Sequence, residues 1–220
     1  MCGRYKLDTD WTEIVRVHEL DLCEPLDVVP RWNVAPTKRM PVVCVDGGRR
    51  VARMMHWGLL SPWSKFREAA RTINARAETV ATSRTFAAAF RERRALVPNT
   101  GFYEWRRDGD AKLPMLLRPR HGPLAFAGLW QSWWDPKYEK HVDTYTILTC
   151  PPNGTVAPIH DRMPVILPRD AWAAWLAGDT APDVLLALLR PCADDVLEAV
   201  RVSDAVNSIA NDGPELARPL

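Results

Sequence analysis

Cysteine is scarce and unpaired in this chain: the five cysteines, at positions 2, 23, 44, 150 and 192, are odd in number and form no CxxC. That scatter argues against a disulfide framework or a structural zinc site and for a reducing compartment, so a cytoplasmic location is expected. No apolar run approaches the ~18–20 residues that a membrane span needs. The opening Met1-Cys-Gly-Arg-Tyr-Lys has no apolar core of a secretory signal, so neither membrane insertion nor export is expected. Repeats, low-complexity tracts and a clear linker are missing as well. So are metal-ligand spacings, a P-loop, a GxSxG elbow and a dinucleotide fingerprint, and no metal or cofactor is expected.

What is present is ordinary globular material. The chain has 220 residues, 47% hydrophobic and 25% charged. At this length about 70% of the unfolded surface can be buried, which excludes wholesale disorder. Net charge is only +2, but it is unevenly placed. Residues 65–94 carry eight basic and three acidic side chains, whereas residues 170–220 carry three basic and nine acidic ones. Such asymmetry fits a positive face meeting an anion such as phosphate, or simply a solvated basic helix.

Asp10 and Glu13 have the spacing of a helix N-cap and its third-residue acid, with Ile14, Val17 and Leu20 facing inward. Short β-like runs are predicted at 41–45, 51–57, 95–98, 101–105, 114–117, 124–130, 144–149 and 163–167. Helices are predicted over 78–91, with Val80, Ala87 and Phe90 partly buried, and over 170–177 and 182–189; residues 196–202 fit either strand or helix. Many strands without βαβ alternation predict a single α+β domain on a largely antiparallel sheet.

Several residues offer chemistry. Methionine before a small residue is commonly removed, and Cys2 would then present an α-amine and a thiol on adjacent carbons. Both have reference pKa values of about 8. The amine condenses with an aldehyde to an imine, and the thiol then closes a five-membered thiazolidine intramolecularly. Cys2 as a small buried residue is the plainer alternative. In Gly101-Phe-Tyr-Glu104-Trp105, alternation puts Phe102 and Glu104 on one face and Tyr103 and Trp105 on the other. A carboxylate among aromatics is either a base raised by burial or an outward charge protecting a sheet edge. His160, beside Asp161, is a candidate acid or base near neutral pH. Asn74 precedes the basic segment as a hydrogen-bonding group or a cap, and Arg76 at a helix start would suit a phosphate. Trp63, in a loop, can stack on an unpaired base or pack in the core or at the rim.

Six motifs occur in one order: Met1-Cys2-Gly3-Arg4-Tyr5, Asn33-Val-Ala-Pro-Thr37, His56-Trp-Gly58, Asn74-Ala-Arg76-Ala-Glu78-Thr79, Gly101-Phe-Tyr-Glu104-Trp105 and His160-Asp-Arg162-Met-Pro164. Together they resemble the SOS response-associated peptidase family over nearly the whole chain. The resemblance implies a compact α+β domain with a barrel-like antiparallel core, peripheral helices and a positive DNA channel. It implies covalent capture of abasic sites in single-stranded DNA by a monomer in the DNA-damage response, cytoplasmic and at the nucleoid when bound. It also implies roles. Cys2 supplies both nucleophiles; Glu104 positions the amine and takes its proton; His160 assists sugar-ring opening; Asn74 holds the adduct. Arg4, Arg76, Arg84 and Arg162 would meet phosphates, and Trp63 would stack beside the lesion. A cysteine peptidase using Cys2 and His160, acting on Met1 alone or more widely, is the competing expectation.

Overall fold

The computed structural model describes residues 2–21 and 24–220, the side chain of Arg67 excepted, so the readings that fall on Met1 and Cys23 lie outside the described residues. Strands dominate, in the order β1 (Tyr5–Leu7), β2 (Arg31–Val34), β3 (Arg39–Asp46), β4 (Arg49–Trp57), β5 (Asn74–Arg76), β6 (Arg94–Asn99), β7 (Gly101–Asp108), β8 (Ala111–Pro119), β9 (Leu124–Asp135), β10 (Lys140–Cys150), β11 (Met163–Pro164) and β12 (Leu197–Arg201). Among the described residues four short α-helices flank them: α1 (Trp11–His18), α2 (Ala87–Glu92), α3 (Trp172–Leu176) and α4 (Pro182–Ala187). Asp10 caps α1 by accepting the Glu13 N–H at 2.9 Å, and Ile14 and Val17 turn into the core.

Strands β3, β4, β10, β9 and β6 close on themselves as a five-stranded barrel, because β9 pairs with both β6 and β10. All its pairings are antiparallel except β10 with β4, where Thr144 and Tyr145 face His56 and Trp57 in parallel. The β3–β4 hairpin turns on Gly47 and Gly48, both with positive φ (56° and 77°), the two-residue turn whose twist suits a hairpin. Gly58, at φ 126°, leaves β4 where a Cβ would sit 2.3 Å from the Ala69 carbonyl oxygen, so no side chain fits there.

A second, antiparallel sheet runs β12-β8-β7-β1-β2. Alternation along β7 works as expected. Phe102 enters the main core and meets Phe126 at 5.8 Å, whereas Tyr103 and Trp105 serve a smaller core with Leu116, Val202 and Val206. The α+β class with a barrel-like core is therefore the expected one.

Three expectations need correction. Residues 78–91 are not one helix: turns run from Glu78 to Phe86 and only α2 is helical. Short hydroxyl side chains bind the local backbone there, Thr82 Oγ1 donating to Thr79 O and Thr85 N–H donating to Ser83 Oγ, both at 3.3 Å. Val80 and Phe90 are buried as expected. The basic helix therefore does not exist, and Asn74 and Arg76 sit in a strand rather than at a helix start. Residues 163–167 form only a two-residue strand plus an isolated bridge from Ile166 to Phe126. Among the described residues no helix is long and apolar enough to cross a membrane.

Candidate active site

Pairing brings four distant residues together where the second sheet meets the barrel. Strand β1 lies antiparallel to β7, with Tyr5 opposite Phe102 and the Tyr103 N–H donating to Arg4 O at 2.9 Å. Cys2, just before β1, thereby reaches the Glu104 end of β7. From the barrel side, β10 carries β5 in parallel, with Asn74 opposite Ile147 and Arg76 opposite Thr149. It also carries β11 antiparallel through Thr149 and Cys150, and the turn before β11 delivers His160.

The Asn74 side-chain amide donates to Cys2 O at 2.8 Å, which fixes the Cys2 backbone. Asn74 Oδ1 is buried without a partner among the described residues, leaving an acceptor in the site. Cys2 is fully buried, and its thiol contacts Arg4 O at 3.9 Å. Burial, reinforced by the nearby Glu104 carboxylate, pushes that thiol well above its ordinary range. Behind it, Tyr5 and Tyr145 share a buried hydroxyl–hydroxyl hydrogen bond of 2.7 Å.

Glu104 is only 3% exposed, and β7 is paired on both sides, by β1 and β8, so this carboxylate guards no sheet edge. Burial raises its pKa to about 7, the value that suits a base at neutral pH. His160 Nε2 stands 3.9 Å from Glu104 Oε2. Its Nδ1 lies 3.0 Å from the Arg162 backbone nitrogen, 3.2 Å from Arg162 O and 3.0 Å from Asp161 Oδ1. Partial burial holds the imidazole below its usual pKa, so it is mostly neutral at pH 7.

The arginines differ in availability. Arg76 is exposed and outside every ion pair among the described residues. Arg84 lies 5.4 Å from the ring of Trp63, which is 62% exposed, so Trp63 is not a core residue. Arg4 is engaged inside the protein through Nη1, which donates to Asn33 Oδ1 at 2.7 Å and Val206 O at 2.9 Å. Arg162 donates to both Glu78 carboxylate oxygens and to Thr149 O at 2.6 Å. Arg94, counted in the basic segment, is buried and donates to carbonyls of Phe90 and Trp175. The positive surface is thus narrower than the residue count implies.

Arg107 and Lys112, not among the candidates read from the sequence, face each other across the β7–β8 hairpin and line an open cleft of about 360 Å³ with Glu104, Trp105 and His160. Their signal was available: basic residues just past the aromatic strand, on either side of a Gly109 turn. Asn33, quoted above only as part of a motif, holds Arg4 and donates to three carbonyls of the 206–211 loop.

The family model for the SOS response associated peptidase (SRAP) matches residues 1–209. The chain belongs to the SRAP family. A SRAP relative from Bacillus subtilis, "Abasic site processing protein YoqW", is 38% identical over 98% of both chains. "Abasic site processing protein YedK" of Escherichia coli is 27% identical over the full length of both. A solved protein from Bacteroides thetaiotaomicron, 21% identical, covers both chains fully with a TM-score of 0.89 and confirms the fold.

Proposed function

We propose that this SRAP protein captures abasic sites in single-stranded DNA covalently, through a thiazolidine on Cys2 once Met1 is removed. The observation that carries the reading is the convergence of Cys2, Asn74, Glu104 and His160 from four separate segments, with a buried carboxylate of pKa about 7 beside Cys2. The relatives named abasic site processing proteins support the same substrate.

His160 helps open the closed deoxyribose to its C1′ aldehyde by passing a proton at the ring oxygen. Glu104 takes a proton from the Cys2 ammonium, and the neutral amine attacks the aldehyde carbon. The carbinolamine loses one water to give an imine. The thiol then adds to the imine carbon while its proton passes, by way of Glu104, to the nitrogen. A thiol with a raised pKa needs that base close by. Asn74 Oδ1 accepts a hydrogen bond from the sugar-derived adduct.

A cysteine peptidase would require a readily formed thiolate paired with an imidazole. Burial opposes that thiolate. Covalent capture makes lighter demands on the thiol. The reading makes the chain a monomer in the cytoplasm, at the nucleoid when it is on DNA. Incubation with abasic and with intact single strands tests it, the expected result being a denaturant-stable complex with the abasic strand alone.

Binding before capture is electrostatic and local. Arg76→Ala is expected to weaken single-strand binding and to flatten the log–log salt dependence by about one unit, the loss of one phosphate contact. Affinity that does not change between low and physiological salt would remove the basic surface from the account.

A further inference from the structure

Exposed aromatic rings gather on one patch away from the reacting residues. Trp134 is 49% exposed and Tyr138 60%, both at the tip of the β9–β10 hairpin. Phe66 and Trp63 face them from the 62–66 loop, and together the two segments line a cavity of about 610 Å³. That is within the size range of small-ligand sites, about 300–1,000 Å³. The Trp133 indole N–H donates to Ser64 O at 2.9 Å and ties the loop to β9, so the cavity is built on the barrel. Isolated surface aromatics need no explanation, but a contiguous cluster of large rings marks a binding surface.

Charge selects the occupant. Lys65 and Lys137 line the cavity, and the ammonium groups of Lys137 and Lys140 stand 4.8 and 5.5 Å from the Tyr138 ring. Asp135, the acidic lining residue, is turned to its own loop and accepts the Lys137 N–H at 2.9 Å. Rings for stacking with cations beside them match a polyanion carrying flat bases. The patch is also continuous with the proposed DNA surface: Trp63 forms part of its wall and meets Arg84 at the same time.

We propose that this cavity is a second stacking platform, holding unpaired bases of the strand that flanks the lesion. The proposal rests on the single-stranded DNA reading above and extends its footprint beyond the abasic nucleotide. Because Trp134 and Tyr138 lie on the surface, replacing them leaves the buried core intact.

The test is the affinity of the double variant Trp134→Ala/Tyr138→Ala for lesion-free single strands of about 4 and about 16 nucleotides, the range of single-strand footprints. One stacked base corresponds to roughly a five- to 150-fold change in Kd. The long strand is expected to bind at least about tenfold more weakly and the short strand unchanged, with the salt slope preserved. Trp134→Phe/Tyr138→Phe, which keeps the rings, should recover most of the loss. Wild-type affinity for the long strand would overturn the proposal and leave the patch to a protein partner. An equal loss on both strands, without recovery by phenylalanine, would overturn it too. Failure of the capture reading shows elsewhere, as absence of any Cys2-dependent adduct with the wild-type chain.

Discussion

Cys2→Ala is expected to lose the denaturant-stable DNA adduct entirely while still giving a complex that borohydride traps. Alanine at position 2 also permits Met1 removal, so the α-amine survives and condenses with the open aldehyde. Without the thiol the product stops at the imine, which water reverses. In the natural chain, ring closure is intramolecular, with effective molarities of order 10⁵–10⁸ M for well-oriented groups. That advantage is what converts a labile imine into a lasting bond. A variant in which Met1 is retained has neither a free amine at Cys2 nor an imine, so both products should disappear. A stable adduct from Cys2→Ala, without reductant, would contradict the thiazolidine.

Glu104→Gln should slow the first attack about 10²–10⁴-fold, the usual contribution of a positioned acid–base group. The slowing should appear with abasic DNA and with a small free aldehyde, because Glu104 acts on the nucleophile. In the natural protein the rate should rise as pH passes through about 7, where Glu104 loses its proton; the glutamine variant should lack that inflection. Stability moves the other way. A buried carboxyl raised from 4.5 to about 7 binds more protons folded than unfolded between those values, so its favourable contribution is complete below pH 4.5 and is lost as pH rises through 7. Glu104→Gln should therefore be more stable than the natural chain at pH 8, by about 3 kcal/mol, with no advantage below pH 4.5. His160→Gln separates from it kinetically. It should slow capture of the mostly closed abasic sugar more than capture of a small aldehyde, and equal slowing would remove the ring-opening role. Single-turnover crosslinking with both substrates, beside thermal melting across pH, measures all of this.

The chain announces its strands through alternation and its first helix through Asp10, and those features reappear with shifted ends. Strands β1, β2 and β5 were not legible, because three or four residues carry too little pattern and form only where a longer neighbour supplies the pairing. The stretch from Glu78 to Arg91 reads as a helix with Val80, Ala87 and Phe90 on its partly buried face. Its threonines and serine instead satisfy the backbone locally and hold it in turns until Ala87. The site was legible as chemistry but not as geometry. An aminothiol at Cys2 and a carboxylate among aromatics at Glu104 are visible in the residues. Their meeting depends on the β1–β7 register and on β10 holding β5 and β11, which no local signal encodes. Motif order supplied what spacing could not, although it gave no warning that Arg4 and Arg162 donate to groups within the protein.

The central claim is a covalent bond of defined composition, and the intact mass of the complex reports it most directly. The mature chain is mixed with a single-stranded oligonucleotide carrying one abasic site, without reductant, and the complex is denatured and weighed. The account predicts one species whose mass is the protein lacking Met1 plus the DNA, less one water, stable to denaturant and absent with intact DNA. A complex that dissociates on denaturation, or one that forms with Met1 still attached, would contradict it.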